Sequence, residues 1–383
     1  MPVRPSVEQT RALLSLPPEK WSAVETVVQP LGKPHGSAWR AVAQSMLWGA
    51  RNRGEREPFA APRTATCFDH FEVQTEDGWS LPLLRYSSPA GGTGEPIILA
   101  SSGTLSPESM DAYADCSLLR TLHLAGYDVF LFHNRGCGNA VQPQGIATFD
   151  FDDMVEHDVP AAINTVCSLS GAKRAIWLGH GLGGQLLVGT LGARVHQGIA
   201  AGVAIGAPVK FQPLSSTARR AAAVASALPC HWRIPLQRVQ RLLTVASRRA
   251  DLAAMGRQID GPRARGILMD CGTDMAMGLA QQMATWHTVG HLVDRDNRFD
   301  YVEGMRGSAT PVMTIAAAGD VSCSPAAAAP VFEASSCAHR ARIELGQDWG
   351  HLDLIASTAA NRIIFPKIID WLQAFRSDCW TTG

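Results

Sequence analysis

Charge is scarce in this chain. Only 18% of its 383 residues are charged, against the quarter typical of globular domains. Lys+Arg 34 cancels Asp+Glu 34, so nothing draws the whole molecule towards nucleic acid or an acidic membrane, and no nucleic-acid partner is expected. No apolar run reaches the roughly 18 residues of a transmembrane span, and the opening MPVRPSVEQT lacks the apolar core of a secretory leader. The expectation is a cytoplasmic protein. The nine cysteines form no CxxC pair, which removes the usual zinc and redox spacings and leaves free thiols, several of them buried. P-loop and HExxH patterns are missing too, and no GxGxxG stands in a dinucleotide context, so neither cofactor nor metal is expected. What is abundant is apolar residues, at 46%, enough for a compact core in one large domain with an insertion or in two ordinary domains.

The chain opens with helical patterns broken by Pro and Gly, SVEQTRALLSL, WSAVETVV and SAWRAVAQSMLWGARNRG, a helical N-terminal extension over residues 1–64. From Phe68 the period changes to two, with Asp77-Gly78 at the bend of a hairpin in FDHFEVQTEDGWSLPLLRYSS. Strand-like and helix-like segments then alternate: PIILASSG, an amphipathic stretch from Tyr113 to Ala125, DVFLFHNRG, FDFDDMVEHDVPAAINTVC, AIWLG, GGQLLVGTLGARV and IAAGVAIGAP. That order predicts an α/β fold with a mostly parallel, doubly wound sheet. The alternation stops after Pro208 and resumes with PVMTIAAAGD, ARIELG and IIFPKIIDWLQAF. Residues 65–211 and 306–383 are therefore read as two parts of one core, and 212–305 as an inserted helical lid.

Where AIWLG runs into the next helix stands Gly179-His180-Gly181-Leu182-Gly183-Gly184. A strand, a tight glycine-rich turn and a helix are the setting in which G-x-S-x-G presents a nucleophile. Gly179, His180 and Gly183 supply that frame, but position 181 is a glycine with no group that can attack. A glycine-rich strand-to-helix turn also suits a phosphate cradle, yet the Lys-Ser/Thr of a Walker motif is missing.

The elbow frame, VQTEDGWSLPLLRY, LLRTLHLAGYDVFLFHNRGCG and FDFDDMVEHDVPAAI together resemble the α/β-hydrolase superfamily, in its lipase and esterase branch and with acid-lipase-like motifs, over residues 65–378. The resemblance implies the α/β-hydrolase fold. It also implies a triad in the order nucleophile, acid, histidine, which places the acid at Asp320 after PVMTIAAAGD and the base at His351 in WGHLDLI. Each taken alone has an ordinary structural role, a turn residue and a hydrogen-bonded core histidine. Asp348 and Asp353 are the competing acids, too near His351 in sequence for an orienting partner.

The resemblance further assigns an oxyanion hole to the N–H groups of Leu182 and of the Ser102-Gly103 region. The loop here reads Ser101-Ser102-Gly103-Thr104-Leu105, where many such enzymes carry His-Gly. The expected activity acts on an apolar acyl substrate, an ester, thioester or lactone, sometimes with an anionic or carrier-linked group. His351 and Asp320 serve as a general-base pair, and the space of the missing serine side chain is given to a water. Cyclisation and lyase steps stay open, as does Ser102 or Thr104 as a displaced nucleophile. The alternatives are a catalytically silent binding or scaffold protein, and a serine hydrolase whose nucleophile has been replaced at 181.

Three lesser signals remain. Arg135 in NRGCG reads as a loop-fixing residue, while Cys137 stays open as a reactive thiol near the cleft, with nothing near it in sequence to lower its pKa. Within the insertion the stretch 219–265 is basic, with Arg219, Arg220, Arg233, Arg238, Arg241, Arg248, Arg249, Arg257, Arg263 and Arg265 against Asp251 and Asp260. That suits either a cationic lid face or an ordinary solvated one. The Met269, Met275, Met277 and Met283 stretch suits an adaptable pocket wall or irregular core packing.

Overall fold

The computed structural model describes residues 68–87, 94–137, 140–144, 148–213, 233–234 and 256–379. The N-terminal extension expected over 1–64 and much of the basic insertion lie outside the described residues.

Two strands open the fold, β1 (Phe68–Gln74) and β2 (Ser80–Tyr86), paired antiparallel from Phe68↔Tyr86 to Gln74↔Ser80 across the Asp77-Gly78 bend. Next come β3 (Pro96–Ala100), α1 (Leu118–Leu124) and β4 (Asp128–Phe132). A helical run beginning at Phe151 contains one wide turn, Met154–Asp158, before it settles into α2 (Val159–Ser170). After it follow β5 (Ala175–His180), α3 (Leu182–Ala193) and β6 (Ile199–Ile205). Helices α4 (Gly261–Asp270) and α5 (Met277–Val289) precede β7 (Val312–Ala317), α6 (Pro325–Ala334), β8 (Ala341–Leu345) and α7 (Thr358–Cys379). The eight strands form one sheet in the order β1-β2-β4-β3-β5-β6-β7-β8. Only β2 runs antiparallel to its neighbours.

Successive strand residues point to opposite faces, and here both faces are covered. Ile98, Phe130 and Trp177 pack on one side with Val159 and Ile163 of α2 and Leu186 and Leu187 of α3. Ile97, Leu99, Val129 and Leu178 pack on the other with Leu118 and Leu122 of α1 and Ile364 and Phe365 of α7. This is why β3 and β6 are unbroken apolar runs and β4 and β5 are apolar apart from Asp128 and His180 at their ends, all buried along their whole length. The result is the doubly wound, mostly parallel architecture that the alternation predicts. In such sheets the loops beyond the carboxyl ends of the strands build the site.

Between β6 and β7 the chain leaves the sheet. Two anchors of the described part of this excursion bear on the site. Cys271 to Thr273 pairs with the loop after β3, through Ser106 N–H to Cys271 O at 2.7 Å and Thr273 N–H to Thr104 O at 3.0 Å. Residues 257–259 converge on the buried carboxylate of Asp353, which accepts the N–H groups of Arg257, Gln258 and Ile259, and of Gly350, at 2.7–3.0 Å. Asp353 thus ties the excursion to the loop that carries His351.

Candidate active site

The turn from β5 into α3 passes through Gly181 at φ +55° and ψ −117°, a conformation that suits glycine and strains any other residue. Close approach fixes the flanks. A Cβ on Gly179 would stand 2.1 Å from the Gly183 backbone, and one on Gly183 would stand 2.2 Å from Ala100 O. Gly183 N–H then donates to Ser101 O at 3.0 Å, which locks the start of α3 to the loop after β3. Leu182 opens α3, where its N–H has no carbonyl of the helix to reach.

Asp320 and His351, distant in sequence, meet at this turn. His351 Nδ1 lies 2.7 Å from Asp320 Oδ2. Asp320 is wholly buried, and its other oxygen accepts the N–H groups of Ser322 at 2.7 Å and Cys323 at 3.1 Å. One carboxylate therefore fills both roles weighed from the sequence, turn residue and partner of the histidine. It fixes the ring so that Nδ1 carries the proton and Nε2 is left with a free electron pair. That Nε2 lies 3.5 Å from where a Cβ on residue 181 would stand, and the imidazole is 17% exposed.

Beneath lies His180, fully buried, its ring 4.2 Å from that of His351 and tilted by 37°. His180 Nε2 is 3.2 Å from His351 O and donates to it. Burial, with the neighbouring His351 adding to it, pushes the His180 pKa well below the ordinary histidine value. A neutral His180 supports the loop without repelling a proton placed on His351.

The space beside Gly181 differs from the expectation. The absence of a side chain at 181 does not simply leave room for a water, because Ser102 approaches from the loop after β3. Its Cβ lies 2.8 Å from the position a Cβ on residue 181 would take. The Ser102 hydroxyl lies 3.3 Å from that of Thr104. Gly103 packs on Leu182, with 2.9 Å between a Cβ built there and Leu182 Cδ2. The structure therefore brings Gly181, Leu182, Ser102, Gly103, Asp320 and His351 together. Asp348 and Asp353 are engaged elsewhere, with Gln258 and the backbone donors given above.

A small cleft adjoins this turn, and Ser102, Gly103, Leu182, Arg135, Cys137 and Met275 are among the residues that line it. Arg135 fixes the loop as expected. It bonds Asp158 at 2.8 Å and Asp77 at 2.7 Å, and lies over the Trp79 ring at 5.2 Å. Asp158 sits on the wide turn before α2, which aims it at Arg135. Met275 and Met277 are buried, and Met275 reaches the cleft, so pocket wall and core packing are both served. Among the described arginines of the insertion, Arg263 is spent on Asp115 at 2.9 Å, Asp260 at 3.4 Å and the Tyr113 ring.

Cys137 has a neighbour that the sequence did not single out. Its Sγ lies 3.9 Å from Nδ1 of His133, four residues earlier, and His133 Nε2 lies 3.0 Å from Glu108 Oε1. Both ionisable side chains are almost fully buried, at 5% and 3% exposed. Burial alone would discharge His133, but Glu108 opposes it, with help from Cys137, and the pKa rises to about 10. The one hint there was the spacing His133 to Cys137; Glu108 carried none.

The family model described as serine aminopeptidase, S33 (Hydrolase_4) matches residues 98–351. Human gastric triacylglycerol lipase is 31% identical over 128 residues, 30% of this chain and 32% of that protein. Human lysosomal acid lipase/cholesteryl ester hydrolase is 28% identical over 130 residues, with the same coverage. The chain thus spans about a third of the length of these relatives. In fold it is similar to a Saccharomyces cerevisiae monoglyceride lipase, with a TM-score of 0.58 at 15% identity, over 83% of this chain and 99% of that one. It is also similar to the Paleococcus ferrophilus monoacylglycerol lipase, with a TM-score of 0.54 at 16% identity, over 77% and 99%. A family model that spans most of the chain, on a sheet of this order, settles the relationship: the chain belongs to the serine aminopeptidase S33 family, with the α/β-hydrolase fold.

Proposed function

We propose that this protein is an acyl hydrolase that cleaves an apolar ester or thioester by general-base catalysis, with Gly181 at the position where relatives of this fold place a nucleophile. The observation that carries the reading is the pair His351 Nδ1–Asp320 Oδ2 at 2.7 Å, with Nε2 facing the bare Gly181 at 3.5 Å from the missing Cβ. Asp320 holds the tautomer. Nε2 takes a proton from water as the water oxygen bonds to the acyl carbon, and then returns it to the leaving oxygen or sulfur as that bond breaks. The N–H groups of Leu182 and Gly103 are the donors for the oxyanion, a contribution of about 10²–10³ in rate per donor in other enzymes. The segment 212–305 serves as the lid over the cleft, through its hold on the loop after β3 and on Asp353.

A second reading is favoured by one specific contact. The Ser102 side chain stands beside the space a serine at 181 would fill, so its hydroxyl is the candidate for a displaced nucleophile. The two readings part on Ser102→Ala, which keeps general-base turnover and abolishes turnover through Ser102. Assay of wild type, Ser102→Ala and His351→Ala on short-chain p-nitrophenyl esters and acyl thioesters decides between them. Loss of nothing in His351→Ala refutes both.

Among the described residues no helix is long and apolar enough to cross a membrane. Cys116, Cys137, Cys167, Cys271, Cys323 and Cys337 are free, which suits the reducing cytoplasm.

A further inference from the structure

His351 is not among the described residues that line the cleft, whereas Cys137 is. Behind Cys137 stand His133 at 3.9 Å and, on the far side of that ring, Glu108 at 3.0 Å. Three elements deliver them. Glu108 comes from the turn Pro107–Asp111 after β3, His133 follows the end of β4, and Cys137 lies on the loop that Arg135 pins to Asp77 and Asp158. A thiol beside an imidazole that is itself beside a carboxylate is the arrangement that activates a nucleophile.

We propose that Cys137 is a second nucleophile of the cleft, with His133, held by Glu108, as the proton-carrying cation beside its sulfur, and that it takes an acyl group from an ester or thioester. The acyl class rests on the function proposed above; the nucleophile rests on the contacts alone. An ordinary buried cysteine is an inert thiol, and the other thiols show what that looks like here. Burial raises Cys116 to about 11 and moves Cys271 and Cys323 upward as well. None of the three has a carboxylate-held histidine at its sulfur in the contacts described for it. Cys137 has one, and its histidine holds a proton strongly.

In the step proposed, the proton shared between Sγ and Nδ1 rests on His133, which stays paired with Glu108. The sulfur electron pair forms the S–C bond to the acyl carbon. The C–O or C–S bond to the leaving group breaks, and the leaving atom takes the proton from Nδ1. Water then attacks the new thioester with its proton passing to Nδ1, the S–C bond breaks, and the sulfur–imidazolium pair is restored. The sum is hydrolysis, and no oxidant or cofactor enters.

Two probes test this on the full chain. Iodoacetamide, read by peptide mass spectrometry on the folded wild type, is expected to alkylate Cys137 at least about tenfold faster than Cys116, Cys271 and Cys323. In His351→Ala, p-nitrophenyl acetate is expected to leave an acetyl group on Cys137 with a single-turnover burst of p-nitrophenolate. The burst is absent from His351→Ala/Cys137→Ser, and His133→Gln slows both reactions about tenfold or more. Alkylation of Cys137 no faster than that of Cys271, or a burst that survives Cys137→Ser, overturns the proposal. The comparison among thiols needs no variant, so a His133→Gln chain that fails to fold leaves the test intact. The His351→Ala background keeps failure here separate from failure of the His351 reading.

Discussion

The molecule holds two histidines by carboxylates within one region of the sheet, and they are held in opposite senses. Asp320 grips His351 at Nδ1 and leaves Nε2 facing Gly181, where there is no side chain. Glu108 meets His133 at Nε2, and Nδ1 faces a thiol. His351 is partly open to solvent, while His133 is nearly sealed. An exposed base with no attacking side chain can use water; a sealed one works only on the side chain it touches. What a carboxylate–histidine pair can do is set by what its other ring nitrogen faces, a bare glycine at His351 and a thiol at His133.

The largest effect expected from breaking this comparison is on His351. His351→Ala lowers kcat/KM for ester hydrolysis by about 10²–10⁴ with the circular dichroism unchanged; turnover within a factor of two of wild type contradicts the base assignment. Asp320→Asn keeps the shape but offers an amide where the ring needs an acceptor. Its kcat falls by about 10² or more, a loss that is absent if Asp320 only holds its own turn.

A sharper test restores the missing side chain. Gly181→Ser brings a Cβ to 2.8 Å from that of Ser102, an overlap of the kind that costs about 1–3 kcal/mol. The single variant is expected to react with a fluorophosphonate about tenfold or more slowly than Gly181→Ser/Ser102→Gly, which removes the obstruction. Equal rates show that Ser102 does not occupy that space.

Stability effects are smaller. Asp353→Ala strands several buried N–H donors at 257–259 and 350 and is expected to cost at least about 2 kcal/mol in urea unfolding. The effect of pH separates the two histidines last. Because the folded pKa of His133 lies above its ordinary value of 6.5, near 10, its contribution to stability is complete below about pH 6.5 and is lost as pH rises through about 10. Unfolding free energy is expected to fall over that window, and to fall less in His133→Gln; identical slopes remove His133 from the ion pair.

How legible this was depends on how local each signal is. The strands β3 to β6 announced themselves as largely apolar runs because a sheet covered on both faces needs little that is polar along them. The glycine turn at 179–184 was visible because steric contact with Ala100 and across the turn permits little else. Asp320 and His351 were found by their order relative to that turn. Three things were not visible. The approach of Ser102 to Gly181 depends on how closely two loops pack, which no spacing encodes. Glu108 sits in a short turn 25 residues before His133, and only the fold brings them together. The wide turn at Met154–Asp158, which aims Asp158 at Arg135, looks in sequence like any other helix.

The most direct test of the central claim is steady-state hydrolysis of a p-nitrophenyl ester series by wild type, Ser102→Ala and His351→Ala, side by side. Turnover that survives Ser102→Ala and disappears in His351→Ala is the expected result, and it establishes His351 as a base that works without a serine. Turnover that survives His351→Ala contradicts the claim.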